Sequence, residues 1–359
     1  MANMEKTRRR PKFLVKILLG ILLVAGIAAL SFVAARAVGS ARLKNKASSS
    51  EPELIQKSEE IFQIPDQETE KWQEGWIRYQ GKIYAYNEDI RTFLFMRIDK
   101  NSEVKEATEV TDGGQADALF LAVMNPHKES IQIVGINRNT MTDIDIYDDQ
   151  GEYVTTTSAQ IAVQHGFGNG LEESCEYQTK AVSALFYQLP IHGYAAINMS
   201  AISTINDAVG GVDVTVLEDL TKVDDTLIQG EDVHLMGKSA FWYVKYRDTG
   251  EFGSADRRLS RQKQYLNALI AAAKQAAKKD ITVAVSLYQA ISSQMVTDVS
   301  LDEVIYLAPL LTSYRFDTEN FYMLSGETVM GERFEEFYVD EDALYEMILE
   351  IFYEEIENE

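Results

Sequence analysis

The chain has 359 residues, 46% of them hydrophobic, and its 34 basic and 56 acidic residues give a formal net charge of −22. That much apolar material suffices for one substantial globular domain with a small appendage. So acidic a body lacks the extended basic face that nucleic-acid binding requires, and nucleic acid is not an expected partner.

The N-terminal segment carries charge of the opposite sign. Up to Lys46 there are ten basic residues and one acid. Ile17–Ala35 is an apolar run long enough to cross the hydrocarbon core, and a transmembrane helix is predicted at residues 17–36. More basic residues precede the run than follow it, which favours a cytoplasmic tail at 1–16 and a body outside the cell membrane. A cleaved signal peptide, with Ala35 and Ala37 near the cleavage site, is the competing interpretation, but the run is longer than an ordinary signal-peptide core.

The next segment, residues 37–80, is mostly polar and is predicted to be an extracellular spacer. Aromatic and branched side chains become frequent between about Lys82 and Ile98, and this pattern is typical of strands. We therefore predict that the main domain covers residues 81–280.

Two apolar runs of strand length, Ala118–Met124 and Ile131–Ile136, flank a polar turn and predict an antiparallel hairpin. If the strands pair symmetrically about that turn, Asp117 lies opposite Arg138. Directly opposed residues have Cβ atoms about 5 Å apart, so a carboxylate and a guanidinium would share one end of the sheet. A simple ion pair that closes the sheet end is an equally good interpretation.

Later segments alternate between helical and strand-like patterns. Helices are predicted at Ala181–Tyr187, Ala201–Ala208 and Asp256–Lys279, strands at Tyr194–Ile197 and Val212–Val216, and either a helix end or a strand at Ser239–Tyr246. This alternation implies an α/β fold, a layered α-β-α domain with a mixed central sheet. Residues 281–359 are predicted to be a helical extension packed on the domain, with an acidic end.

Basic residues concentrate near residue 247 of this acidic chain. The cluster comprises Lys245, Arg247, Arg257, Arg258 and Arg261, with Gln262 beside them. Neighbouring arginines repel one another unless an anion lies between them, and the simplest such anion is a phosphate. Part of the cluster falls at the N-terminus of a predicted helix, where backbone amides add positive potential.

Five stretches in a fixed order carry a resemblance to a known family. They are IVGINRNTM, INDAVGGVDV, GEDVHLMGKSA, YVKYRDTG and SADRRLSRQKQYL. Together they resemble the LytR-CpsA-Psr family of bacterial envelope proteins over about residues 82–275. The resemblance implies a single-pass membrane protein whose extracellular α/β domain binds a polyprenyl (pyro)phosphate lipid. It also implies a phosphotransferase that moves a glycopolymer, such as teichoic acid or capsule, from that carrier to peptidoglycan.

The same resemblance implies roles for individual residues. Asp99 and Asp117 would hold a Mg²⁺ ion near the pyrophosphate, and oxygen ligands suit that hard cation. Asp117 would also be the nearest base for the acceptor hydroxyl. Phosphate would be bound, and its developing charge stabilised, by Arg138, Lys245, Arg247, Arg258, Arg261 and Gln262, with Arg138 and Arg247 counted as catalytic.

The chain departs from the family's pattern at several of these positions. Gln115 and Lys245 stand where the family has arginines, Asn137 replaces a proline, Asn139 replaces an aspartate, and Asp256 is displaced by one position. Each lost charge-assisted contact would cost about 1.5–3 kcal/mol. The alternative function is therefore a catalytically weak polyprenyl-phosphate-binding or scaffold protein of the cell envelope.

A lipid tail would need an apolar groove within the domain. The segments available to line it are Leu119–Val123, Val182–Tyr187 and Leu266–Ile270. Apolar stripes of this kind are more often ordinary core, so only the family resemblance favours the groove.

Overall fold

The computed structural model describes residues 31–46, 52, 54, 73, 75–101, 103–107, 109, 112–148, 150–248, 250–316 and 318–356. Residues 17–30 of the predicted membrane span, and much of the predicted spacer, lie outside this set. Within it, no helix combines the length and apolar character that crossing a membrane demands.

Eight helices are formed by the described residues. They are α1 (residues 31–46), α2 (Glu172–Leu185), α3 (Ala201–Ala208), α4 (Lys238–Lys245), α5 (Ser254–Lys279), α6 (Val283–Ala290), α7 (Leu301–Ser313) and α8 (Glu341–Phe352). The predicted bounds of α3 are confirmed. The sequence of residues 239–246 fitted either a helix end or a strand. In the structure, residues 239–245 lie in helix α4, and Tyr246 is the C-cap of that helix.

The strands of the described residues belong to one large sheet and four small ones. They are β1 (Ile77–Tyr79), β2 (Lys82–Tyr86), β3 (Arg91–Ile98), β4 (Ala116–Asn125), β5 (Ser130–Ile136), β6 (Met141–Tyr147), β7 (Tyr153–Gln160), β8 (Gly193–Asn198), β9 (Val212–Thr215), β10 (Asp232–Leu235), β11 (Met295–Thr297), β12 (Phe321–Met323), β13 (Gly326–Met330), β14 (Glu335–Val339) and β15 (Tyr353–Ile356).

The central sheet is mixed, as predicted, with the strand order β11-β8-β3-β4-β5-β12. Strand β3 runs parallel to β8 and antiparallel to β4, and β12 runs parallel to β5. The predicted hairpin is β4–β5, and its register pairs Met124 with Ile131 and Leu119 with Ile136. This register confirms that Asp117 and Arg138 lie at the same end of the hairpin.

Helices cover both faces of the central sheet. On one face, Leu94 and Leu121 pack with Val182 and Phe186 of α2 and with Ile348 of α8 in the largest buried cluster. On the other face, side chains of the sheet pack against α1, α5 and α7. Strict alternation along each strand sends neighbouring residues to opposite faces, which produces the predicted α-β-α layering.

The segment after residue 280 contributes strands as well as helices. Strands β11 and β12 form the two edges of the central sheet, and β15 pairs with β2 in a smaller sheet. The predicted acidic helix at residues 340–355 is helical only over Glu341–Phe352. The description of residues 281–359 as a helical extension is therefore incomplete, because backbone pairing makes this segment part of both sheets.

Helix α1 docks on the domain rather than standing apart from it. Leu43 is buried among Phe93 and Leu307. The Lys46 ammonium lies 3.2 Å from a carboxylate oxygen of Glu303 and 3.1 Å from one of Asp298. Since Glu303 is fully buried, Lys46 supplies the positive charge that this carboxylate requires.

Replacing Lys46 with alanine is expected to lower the free energy of unfolding by about 2 kcal/mol, since it leaves a buried carboxylate without its counter-charge. Urea unfolding of the detergent-solubilised chain measures this, with Lys44→Ala, an exposed lysine of the same helix, as the control. The double variant K46A/E303Q should recover part of the loss. Equal effects of the two lysine substitutions would contradict the role of Lys46.

Two buried histidines make the fold sensitive to acid. Burial lowers the pKa of His165 to about 4 and that of His192 to about 3. His192 accepts the backbone N–H of Thr92 on Nδ1 at 3.1 Å, so protonation of Nδ1 would break this bond. Both side chains titrate near pH 6.5 when unfolded, so the unfolded chain binds more protons and stability falls as the pH drops from about 6.5 towards 4.

We expect the free energy of unfolding to fall by up to about 1.4 kcal/mol per pH unit for each of these histidines across that window. Urea titrations at a series of pH values measure the slope. His192→Gln should reduce the slope, because glutamine is not protonated in this pH range. An unchanged slope in His192→Gln would show that another group causes the acid sensitivity.

Candidate functional site

Four elements of the chain meet at one end of the central sheet. Strands β3 and β4 bring Arg97 and Asp117 there, the loop after β5 brings Arg138, and the first turns of α5 bring Arg258. Three of these four residues were predicted as site residues from separate stretches of the chain. The fold brings those three together.

Asp117 is the centre of this arrangement. Its Oδ2 accepts hydrogen bonds from Nη2 of Arg97 at 2.8 Å and from Nη1 of Arg258 at 3.2 Å. Its Oδ1 accepts a short hydrogen bond from Nη1 of Arg138, whose Nη2 donates to Gln115. One carboxylate thus holds three guanidinium groups, and we call Arg97, Asp117, Arg138 and Arg258 the arginine cluster.

The arginine cluster is buried and carries excess positive charge. Its side chains are 6–15% exposed, and three positive charges against one negative charge leave a surplus of two. Burial alone would raise the pKa of Asp117, but Arg258, Arg97 and Arg138 together outweigh it and hold that pKa below its usual value. Burial also lowers the pKa of Arg97, and it lowers that of Arg258 to about 9, so Arg258 remains charged at neutral pH.

Two N–H groups of the cluster lack partners. Nε of Arg97 and Nε of Arg138 are buried, and neither donates to any described residue. A buried donor without an acceptor costs about 1–3 kcal/mol, and an anion with several oxygens would remove that cost. Charge surplus and unused donors therefore indicate an anion-binding site.

Arg97 was missed by the sequence analysis. It lies near the end of the strand sequence RTFLFMRI, directly after the apolar run FLFM. A charged side chain inside such a stretch is itself a signal, because Arg is rarely buried without a partner. The partner became identifiable only once β3 was paired with β4.

Arg247 lies beside the cluster and has a different set of contacts. Its Nε donates to Ser254 at 2.9 Å, and its Nη2 lies 3.1 Å from Oε2 of Glu335. Its charge adds to the field at Arg258. Lys245 is the last residue of α4, two positions before Arg247, and its ammonium lies 3.4 Å from Asn101 Oδ1 and 4.8 Å from the centre of the Phe241 ring.

The structure assigns Arg261 and Gln262 to support of the fold. Arg261 is 1% exposed, and its guanidinium donates to Glu218 at 2.5 Å and to backbone carbonyls near the end of α4. Gln262 donates to Val244 O at 3.1 Å. Both side chains stabilise the end of α4, and their role as direct phosphate ligands stays a prediction. The α5 residue that points to Asp117 is Arg258.

Asp99 lies at the same end of β3 and β4 as Asp117 and is exposed. Its Oδ1 accepts the Gln115 N–H at 2.8 Å. No group of three or more His, Cys, Asp or Glu side chains placed to hold a metal occurs among the described residues. Two carboxylates suit Mg²⁺ only when water and substrate phosphate supply the other oxygens, and an exposed Asp99 fits that arrangement.

The sheet face toward α5 to α7 is incompletely covered. Phe95, in the middle of a central strand, is 48% exposed, and it lies between Ala195 of β8 and Phe120 of β4. No residue of the apolar helix α6 is buried, and Leu266 and Ile270 of α5 are only partly buried. By contrast, Val182 and Phe186, which were predicted as possible groove residues, are ordinary core on the opposite face.

Comparison with known proteins shows the family to which this chain belongs. The model of the LytR_cpsA_psr family matches residues 42–350. The chain is 29% identical over 223 residues to a polyisoprenyl-teichoic acid–peptidoglycan teichoic acid transferase, TagU, of Halalkalibacterium halodurans, covering 61% of this chain and 66% of that protein. It is 32% identical over 183 residues to TagU of Bacillus cereus strain ATCC 14579, covering 50% of this chain and 51% of that protein.

Solved structures share the fold at lower identity. Bacillus subtilis TagV matches with a TM-score of 0.55 and 22% identity over 73% of this chain and 96% of that chain. The protein gbs0355 of Streptococcus agalactiae matches with a TM-score of 0.56 and 18% identity, over 73% of this chain and 86% of that chain. These likenesses establish the mixed α/β fold.

Proposed function

This chain belongs to the LytR-CpsA-Psr family, and we propose that it is a phosphotransferase that moves a glycopolymer from a polyprenyl-pyrophosphate carrier to peptidoglycan. The names of the relatives, which are teichoic acid transferases, support this class of reaction. The observation that carries the proposal is the arginine cluster, with its surplus of two positive charges and two unused buried N–H groups.

The pyrophosphate of the donor would lie against this cluster. Guanidinium groups bind phosphate oxygens two at a time and stay charged, so Arg138 and Arg258 would bind the pyrophosphate together with Arg247. Nη1 of Arg247 makes no hydrogen bond to any described residue and remains available. Arg97 would hold Asp117 in place through its hydrogen bond to Oδ2 and would add to the positive potential at the site.

The proposed reaction is a substitution at phosphorus. An acceptor sugar oxygen of peptidoglycan attacks the phosphorus that carries the glycopolymer, the bridging P–O bond breaks, and polyprenyl phosphate leaves with the bond's electrons. Charge that develops on the leaving phosphate is stabilised by the arginines. Asp117 is a poor base, because guanidinium groups engage both of its oxygens and hold its pKa below the usual value. The proton of the acceptor hydroxyl would therefore pass to solvent water.

We also propose that Asp99 and Asp117 bind Mg²⁺ together with the donor phosphates. When bound, the ion would neutralise phosphate charge and orient the pyrophosphate. Asp99 is the side chain best suited to the ion, because it is exposed and its Oδ2 makes no hydrogen bond to a described residue.

The polyprenyl tail would lie on the incompletely covered sheet face around Phe95, against the apolar side chains of Leu266 and Ile270. A membrane position follows from the same proposal, since the lipid carrier resides in the bilayer. The apolar run at residues 17–36 and its basic N-terminal flank support a single-pass protein whose domain lies outside the cell.

The proposal is tested by supplying the full chain in nanodiscs with lipid-linked glycopolymer, peptidoglycan and Mg²⁺. Covalent attachment of polymer to peptidoglycan, measured by mass spectrometry of muramidase digests, is the expected result. If the chain retains the lipid donor but attaches no polymer, the transferase proposal is wrong, and the alternative function, a lipid-binding or scaffold protein, is favoured.

The metal assignment has its own readout. Inorganic pyrophosphate should bind the chain more tightly with Mg²⁺ than without it, by roughly tenfold, because an ion held by Asp99 and Asp117 would neutralise phosphate charge. Asp99→Asn should remove that increment in calorimetric titrations. Asp112→Asn, at an exposed aspartate of the following loop, is the matched control. An increment that persists in Asp99→Asn would place the ion elsewhere.

A further inference from the structure

Glu335 is a buried carboxylate beside the arginine cluster that no sequence motif indicated. It is 7% exposed and begins strand β14 of the C-terminal hairpin β13–β14. Its Oε2 lies 3.1 Å from Nη2 of Arg247, and its Oε1 accepts the backbone N–H of Gly253 at 2.7 Å. One side chain of the hairpin therefore spans the loop that leads from Arg247 into helix α5.

The hairpin is also attached to the loop that carries Arg138. The backbone carbonyl of Glu335 accepts a hydrogen bond from Gln160 Nε2 at 2.7 Å, and Phe337 N–H donates to Asn139 O at 2.9 Å. Asn139 Nδ2 reaches Glu335 Oε2 at 3.4 Å. Asn139 is uncharged. The negative charge beside it therefore comes from the Glu335 carboxylate of the hairpin.

A second contact lies on the other strand of the hairpin. Thr328 Oγ1 donates to Asp256 Oδ2 at 2.9 Å, and Asp256 Oδ1 accepts from Asn137 Nδ2 at 2.6 Å. Asp256 is in the first turn of α5, two residues before Arg258. The hairpin thus contacts the loop after β5 and the start of α5, the two segments that supply Arg138 and Arg258.

The contacts of Arg247 show what Glu335 does. The guanidinium is bonded along one side, through Nε to Ser254 and through Nη2 to Glu335, while Nη1 has no partner among the described residues. A long Arg side chain has many rotamers, and two bonds along one edge select a single orientation. Glu335 therefore helps to fix the Nε–Nη2 edge of the Arg247 guanidinium and leaves Nη1 available to a ligand.

We propose that Glu335 is a positioning residue of the phosphate site and that the hairpin β13–β14 forms its C-terminal wall. Glu335 acts through Arg247 by orienting its guanidinium toward the pyrophosphate, and it does not touch the substrate. This inference rests on the proposed function, since it assigns the orientation of one phosphate ligand in that site.

The test compares Glu335→Gln, which keeps the shape of the side chain and removes its charge, with Glu332→Gln, which alters an exposed acid in the turn of the same hairpin. We expect Glu335→Gln to lower the transfer rate at saturating donor roughly tenfold, with a smaller effect on KM, because the orientation of Arg247 matters most as charge develops. Glu332→Gln should match the wild type in transfer rate and in melting temperature.

A double-mutant cycle isolates the path through Arg247. In an Arg247→Gln background, Glu335→Gln should cost little further activity, since its effect is already absent. Additive losses in the double variant would mean that Glu335 acts on the fold and not through Arg247, and would overturn the proposal.

Binding of inorganic pyrophosphate, measured calorimetrically, gives a readout that does not depend on turnover. Loss of a nearby negative charge would by itself raise anion affinity, whereas loss of a positioned Arg247 lowers it. We expect a roughly threefold to tenfold lower affinity in Glu335→Gln. A rise in affinity would show that Glu335 only screens Arg247. If the wild type binds pyrophosphate but transfers no polymer, the proposed function fails while this measurement still decides the role of Glu335.

Discussion

Asp117→Ala is expected to abolish polymer transfer and to destabilise the fold. The substitution leaves Arg97, Arg138 and Arg258 buried without a counter-charge, and breaking a buried ion pair in this way costs about 3–5 kcal/mol. Misplaced arginines also no longer stabilise the transition state, for which a loss of about 10²–10³-fold in rate is typical of one displaced group. Transfer assays and urea unfolding measure the two effects.

The control for this prediction is Asp143→Asn, at an exposed aspartate of β6, which should behave as wild type. Asp117→Asn separates charge from size, and it should lose activity and stability nearly as much as Asp117→Ala. Added pyrophosphate should raise the melting temperature of Asp117→Asn, because the anion replaces the missing negative charge. Wild-type stability and turnover in both Asp117 variants would refute a charge-balancing role for this residue.

Arg97→Met is expected to separate binding from stability. Arg97 is deeply buried, and burial lowers the pKa of its guanidinium, which shows that the charge is held at an energetic cost. An apolar side chain of similar length removes that cost, so the melting temperature should stay the same or rise. The charge surplus falls from two to one, and we expect pyrophosphate affinity to drop roughly 10- to 100-fold.

Arg91→Met provides the comparison for Arg97→Met. It removes an arginine at the opposite end of strand β3, where the guanidinium donates to the carbonyls of Glu88 and Ile90. It should leave pyrophosphate affinity unchanged. A marked loss of stability in Arg97→Met without a loss of affinity would assign Arg97 to the fold alone.

Local patterns predicted the sheet well because they depend on neighbouring residues. The apolar runs on either side of the polar turn after Asn125 determined the register of β4–β5, since any shift by one residue would move every apolar side chain to the wrong face. The same register correctly brought Arg138 to Asp117. The bounds of α3 followed equally well from apolar spacing.

The prediction for α5 shows where local reasoning ends. Arg258 and Arg261 lie one turn apart on one stripe of the helix, as their spacing predicted. Arg258 turns toward Asp117, whereas Arg261 binds carbonyls at the end of α4. Helical periodicity defines the stripe, but the docking of α4 against α5 determines which arginine remains available to a ligand.

By itself, the sequence determined the family, the mixed α/β class, the hairpin register and the concentration of arginines, because motifs, periodicity and charge are properties of short stretches. Only the tertiary structure added Arg97 and Glu335 to the site and identified the hydrogen-bond partners of Arg261. Arg97 required the pairing of two strands, and Glu335 required a hairpin 88 residues beyond Arg247 to fold back onto it. Contacts over such separations depend on which surfaces pack together, and no local pattern records that choice.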